Sequence, residues 1–150
     1  MTPEIYTIGH STRKLGELIG VLLHHGIERL VDIRHFPGSQ YNPQFNRETL
    51  EQQLTRQGIE YVWLERLGGY RAGGYAAHMQ TEDFTSGMET LETLAREKRT
   101  AYMCAELKWF KCHRRHVSDV LAARGWNIIH IFDEKRLQRH TLKTNTIRCE

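Results

Sequence analysis

A chain of 150 residues with 39% hydrophobic and 26% charged residues has the balance of one globular domain, and no apolar run in it is long enough to cross a membrane. The formal net charge of +3 permits an anionic ligand without demanding nucleic acid. The three cysteines are an odd count, and Met1-Thr2-Pro3-Glu4 lacks a secretory pattern, so reduced thiols in a cytoplasmic setting are expected rather than a disulfide frame.

Ile5-Tyr6-Thr7-Ile8 reads as a strand, and Gly9-His10-Ser11-Thr12 as the tight turn that ends it. Leu15, Leu18, Ile19 and Leu22 fall at i, i+3, i+4 and i+7, which predicts a helix stopped by Gly26. Leu30-Val31-Asp32-Ile33 is the second expected strand, and Arg34-His35-Phe36-Pro37-Gly38-Ser39 breaks away from its end. A second helix is expected from an Asn46 cap through Leu50 and Leu54 to Gly58, and a third strand over Ile59–Leu64. From Glu65 to Asp83 the rhythm fails. Gly68, Gly69, Gly73 and Gly74, with Tyr70, Arg71 and Tyr75 among them, predict a loosely ordered lid or binding loop. Phe84, Met88, Leu91 and Ala95 predict a third helix, Thr100–Met103 a fourth strand, Val117, Val120 and Leu121 a fourth helix, and Ile128–Phe132 a fifth strand.

Strands alternating with helices predict an α/β domain over residues 1–132, a three-layer sandwich whose mostly parallel five-stranded sheet carries helices on both faces. Strand order 3-2-1-4-5 is the first expectation and 2-1-3-4-5 the alternative. Residues 133–150, with Lys135, Arg136, Arg139, Lys143 and Arg148, read as a basic tail. His24, His25 and His116 read as surface residues on helices.

The chemistry concentrates between Met103 and Arg114, a loop from a strand end into a helix N-terminus, where backbone N–H groups and the helix dipole favour an anion. Cys104 ends a buried strand and reads either as a small core residue or as a nucleophile. Cys112, in front of the helix, is the other candidate thiolate or a resolving thiol. Glu106 is a candidate acid/base or an ion-pair partner of Arg34 or Arg114. Asp32, inside an apolar strand, must be paired, with Arg34 or His10 as its partner. His10 is the expected proton carrier. Ser11, Arg34, Ser39, His113 and Arg114 are the expected substrate contacts, with the Arg34 and Arg114 guanidiniums turned toward one anion. Cys104, Cys112 and His113 with Asp32 or His10 would make a four-ligand metal set, but the spacing lacks the paired form of structural zinc, and no metal or cofactor is expected.

Thr7-Ile8-Gly9-His10-Ser11, Val31-Asp32-Ile33-Arg34 with Pro37 and Ser39, Leu67-Gly68-Gly69, Cys104-Ala105-Glu106 and Cys112-His113-Arg114 together resemble the signature of domain-of-unknown-function family 488, from about Ile5 to Ile131. The resemblance implies a small cytosolic prokaryotic-type α/β domain and no particular reaction. From the residues themselves, the leading expectation is a hydrolase or group transferase acting on an anionic, nucleotide-like small molecule at the C-terminal edge of the sheet. Two alternatives stand beside it. One is a nucleic-acid module using Tyr70, Arg71, Tyr75 and the basic tail; the other is a thiol redox or metal-binding protein using Cys104 and Cys112.

Overall fold

The computed structural model describes residues 2–38 and 42–141. Strands β1 (Glu4–Gly9), β2 (Arg29–Asp32), β3 (Glu60–Trp63), β4 (Thr100–Cys104) and β5 (Asn127–Ile131) run parallel, and β6 (Leu137–Arg139) pairs antiparallel with β5. They form one sheet in the order β3-β2-β4-β1-β5-β6. The α/β class is as expected, but the expected order is corrected: β4 stands between β2 and β1. Apolar periodicity marks a strand without naming its neighbour. Here the connection from β1 to β2 skips a place, and the long return from β3 fills it. The sixth strand lies in the stretch read as a tail. Its hairpin is closed by Phe132 N–H to the Arg136 carbonyl at 2.9 Å, and the His140 N–H donates to Ile128 O at 2.8 Å. The remainder of that stretch, after residue 141, lies outside the described residues, as does Ser39.

Helices α1 (Leu15–His24) and α2 (Arg47–Arg56) cover one face of the sheet. Their Leu18, Leu22, Leu50 and Leu54 bury against Tyr6, Ile8, Leu30 and Met103. Helices α4 (Glu82–Glu97) and α5 (Arg114–Ala123) cover the other, where Phe84, Met88, Leu91, Val117 and Leu121 meet Ile5, Val31, Tyr102 and Ile128. Strand side chains alternate between these two cores, as the pleat requires. Each fully buried aliphatic or aromatic side chain contributes roughly 1.5–3 kcal/mol. Thr81 caps α4 by accepting the Phe84 N–H at 3.2 Å.

Two close approaches position the strand ends. The His10 N–H donates to Cys104 O at 3.0 Å and the Ser11 N–H to Ala105 O at 2.9 Å, so β1 stays paired with the chain beyond β4. A Cβ on Gly9 would stand 1.9 Å from the Glu106 carbonyl oxygen, which is why only glycine fits there. Likewise a Cβ on Gly68 would meet the His35 Cα at 2.6 Å, which binds the segment after β3 to the loop after β2. That segment is more structured than its glycines predict. It holds the short helix α3 (Tyr75–His78), the Tyr75 hydroxyl donates to Leu67 O at 2.8 Å, and His78 Nε2 donates to Arg66 O at 2.6 Å.

Candidate active site

The C-terminal ends of β1, β2 and β4 open into a cleft of about 900 Å³. His10, Arg34, Cys104, Glu106, Cys112 and His113 line it, with His35, Phe36, Tyr70, Tyr75, Phe110, Lys111, Arg115 and His116 around them. Because β4 is central, the ends of β1 and β2 flank Cys104 on either side, and His10 and Cys104 sit on adjacent strands as the sequence reading required.

The two thiols lie with their sulfurs 2.9 Å apart. Cys104 is 1% exposed and its pKa is pushed well above the usual thiol range, by burial and then by its bond to Cys112. Cys112 faces the cleft. Its pKa falls to about 6, first because the Cys104 S–H donates to it, then because the Arg114 charge and the Arg114 backbone N–H, 3.3 Å from the sulfur, outweigh the cost of burial. The asymmetry of the two surroundings favours the proton on Cys104 and the negative charge on Cys112. The cap residue of α5 is His113, so Cys112 stands where the helix dipole is most favourable to an anion.

Asp32 and Arg34 form a buried pair. The Arg34 Nε donates to Asp32 Oδ1 at 2.8 Å and its Nη2 to Oδ2 at 2.7 Å; the Tyr61 hydroxyl and the Arg34 N–H also donate to this carboxylate, at 2.5 and 3.1 Å. Arg34 Nη1 is turned to His10 Nε2 at 3.4 Å. A carbonyl can only accept, so His10 carries its proton on Nδ1, bonded to Ser11 O at 2.8 Å, and its Nε2 lone pair is the acceptor for the Arg34 Nη1–H. Burial lowers the His10 pKa to about 4, and its ring stacks on Phe45 with centroids 4.3 Å apart. His113 mirrors it: Nε2–H donates to Ile33 O at 2.7 Å, and burial lowers its pKa to about 4.

Two expected substrate contacts, Arg114 and Ser11, are placed elsewhere. Arg114 is 1% exposed, and its guanidinium does not line the cleft. Instead Nη1 donates to Thr7 Oγ1 at 3.0 Å and Nη2 to the Glu106 and Leu107 carbonyls at 2.7 and 3.1 Å. The conflict between an arginine and a helix N-terminus is thus resolved by backbone oxygens and the Cys112 sulfur. The expectation that Arg34 and Arg114 share one anion is corrected, since Arg34 is paired with Asp32 and the Arg114 guanidinium is turned inward to Thr7 and two carbonyls. Ser11 neither lines the cleft nor caps α1, whose cap position is Lys14, and Asp32 is wholly buried behind Arg34. Glu106 is exposed at the rim, where its carboxylate accepts the Lys108 N–H at 3.2 Å rather than pairing with an arginine. The four-ligand metal set does not assemble among the described residues, because Asp32 is committed to Arg34 and Tyr61.

Sequence reasoning missed a buried relay behind Arg114. Thr7 Oγ1 bonds His130 Nδ1 at 2.8 Å, His130 Nε2 bonds His140 Nδ1 at 2.9 Å, and His140 Nε2 bonds Asp119 Oδ1 at 2.8 Å. With Asp119 as the final acceptor, every step has a donor and an acceptor. Trp109 stacks on His130, centroids 4.2 Å apart, which fastens the loop between the two thiols. Also missed were Phe36 and Phe110 on the rim and His116, read as a surface residue but lining the cleft, whereas Tyr70 and Tyr75 line it from the segment read as a lid or binding loop.

Fold and site together define a mostly parallel α/β domain with an asymmetric thiol pair at the C-terminal edge of its central strand. The chain belongs to the domain-of-unknown-function family DUF488, whose model matches residues 14–121. No curated protein and no solved structure matches it. No helix among the described residues is long and apolar enough to cross a membrane.

Proposed function

We propose that this protein is a cytoplasmic, cysteine-dependent hydrolase or group transferase acting on an anionic, nucleotide-like small molecule. The observation that carries the reading is Cys112: its sulfur lines the cleft, lies 2.9 Å from Cys104 Sγ and accepts the Arg114 N–H at 3.3 Å, contacts that with the Arg114 charge favour its thiolate form. Lys111 and Arg115 stand on the same rim, and neither has an ion-pair partner among the described residues. They suit an anionic group, and Phe36, Tyr70 and Phe110, exposed by 66%, 88% and 46%, suit a planar ring. Tyr70 holds a left-handed φ of 57°, a conformation with a cost that this segment's hydrogen bonds must outweigh.

In the chemical step the Cys112 electron pair forms a bond to the electrophilic atom of the substrate, and the leaving group departs with the pair of the broken bond. Water or a second acceptor then releases the group from sulfur, and His10, which lines the same cleft, carries its proton when the 3.4 Å contact from Arg34 Nη1 to Nε2 gives way. Two reduced thiols fit a reducing compartment.

The test is protection. Adenosine monophosphate or inorganic phosphate at millimolar concentration should slow alkylation of Cys112 by iodoacetamide, and Lys111→Gln with Arg115→Gln should remove the effect. Equal alkylation rates with and without these ligands would contradict an anion site over the thiolate.

A further inference from the structure

Nothing in a simple nucleophilic site requires the second sulfur. A thiolate can be held by N–H donors and a nearby cation alone, yet here a buried thiol stands 2.9 Å from it. A disulfide needs its sulfurs at about 2.05 Å, so closing the bond requires an approach of roughly 0.9 Å. The two residues also differ in the way such a cycle requires. Cys112 is reachable from the cleft and lies on a loop whose 3₁₀ turn, Trp109–Lys111, has no buried residue; Cys104 is 1% exposed at the end of the central strand. Cys104, though it lines the same cleft, is nearly covered, so an external reagent meets Cys112 first, with Cys104 2.9 Å behind it.

We propose that Cys104 is a resolving thiol and that the site reduces anionic low-molecular-weight disulfides. The proposal rests on the reading of Cys112 as the nucleophile. In the first step the Cys112 thiolate attacks one sulfur of R–S–S–R′; the Cys112–S–S–R bond forms, the R–S–S–R′ bond breaks, and R′ leaves as a thiolate. In the second step Cys104 gives up its proton and attacks Cys112 Sγ, which forms the Cys104–Cys112 disulfide and releases R as a thiolate. The substrate gains two electrons and the protein dithiol loses two. A second dithiol reductant must restore the reduced pair.

The proton of Cys104 has places to go. The R–S⁻ and R′–S⁻ thiolates released in the cleft can each take it, and once Cys112 is in a disulfide its negative charge no longer opposes ionisation of Cys104. Lys111 and Arg115 favour a carboxylate-bearing disulfide over a neutral one. The Glu106 carboxylate on the rim works the other way and leaves the entrance of mixed sign.

The test uses the full chain carrying Cys149→Ser, since Cys149 lies outside the described residues, treated with oxidised glutathione at pH 8, acid-quenched and mapped by mass spectrometry. The wild-type pair should give a tryptic species joining residues 100–108 to 112–114, with little glutathione adduct. Cys104→Ser should instead accumulate the adduct on Cys112 to near one equivalent, and Cys112→Ser should form neither product. Cys104→Ala serves if the serine variant does not fold, and the wild-type map alone decides if neither folds. A stable adduct on Cys112 in the wild type, with no internal disulfide, would overturn the resolving role while leaving Cys112 the nucleophile. No modification of Cys112 at all would overturn both readings. A neutral disulfide that reacts as fast as glutathione disulfide would overturn the preference for anions.

Discussion

Arg114→Met keeps most of the side-chain volume of Arg114 and removes its charge. The guanidinium now donates to Thr7 Oγ1, Glu106 O and Leu107 O from a position 1% exposed. Methionine leaves all three acceptors without this donor. Leu107 and Glu106 are at the surface, so water replaces part of what their carbonyls lose, and the low end of the range for an orphaned group, roughly 1 kcal/mol each, is appropriate. The sum is about 3 kcal/mol, a large part of a typical domain's stability. For a chain of this length that corresponds to a fall in Tm of roughly 6–12 °C. The same change removes one of the influences that hold the Cys112 thiolate, while the Cys104 bond and the backbone N–H remain. The midpoint of Cys112 alkylation against pH should therefore rise from about 6 by roughly one unit. Urea denaturation followed by tryptophan fluorescence reads the first effect, and iodoacetamide rates against pH read the second. A stability loss below about 1 kcal/mol together with an unmoved midpoint would refute the assignment of Arg114 as the clamp of this loop.

Asp32→Asn leaves the Arg34 charge buried without its carboxylate, and should cost roughly 3–5 kcal/mol in urea denaturation; a cost near zero would mean that Arg34 finds another counter-charge. Stability should also fall on acidification. His10 and His113 are held to about 4 whereas an unfolded histidine titrates near 6.5, so the unfolded chain binds protons that the folded one refuses. Their contribution is complete above pH 6.5 and declines toward pH 4, by up to about 1.4 kcal/mol per pH unit for each histidine; urea midpoints at pH 7.5 and 5 test the sign. Gly9→Ala should unfold the protein or displace the Glu106 carbonyl, because its Cβ would meet that oxygen at 1.9 Å; a variant with unchanged stability and unchanged Cys112 reactivity would show that the contact is not needed.

Much of this was legible because short-range periodicity reports burial directly. The i, i+3, i+4, i+7 stripe of Leu15, Leu18, Ile19 and Leu22 marks α1, and Phe84, Met88, Leu91 and Ala95 mark α4. The pairing of Asp32 followed from the cost of a lone carboxylate among Val31 and Ile33. Strand order was not legible, since Thr100–Cys104 has the same apolar character at the centre of the sheet as it would have beside it. Nor was the direction of Arg114. At the first position of a helix its side chain can reach outward to a ligand or inward to β1, and only the position of Thr7 on a neighbouring strand selects the second. The relay of Thr7, His130, His140 and Asp119 was hidden for the same reason: its members come from three strands' ends and a helix, with no spacing that links them. Exposed Phe36, Tyr70 and Phe110 carry no periodic signal at all, and only their shared cleft makes them a set.

The most direct test of the cleft as a thiolate site is the rate of Cys112 alkylation by iodoacetamide from pH 4.5 to 9.5, read on the tryptic peptide 112–114. A half-maximal rate near pH 6, with Cys104 protected throughout in the same samples, is the expected result. A midpoint near the ordinary thiol value of about 8.5, or faster labelling of Cys104 than of Cys112, would contradict it.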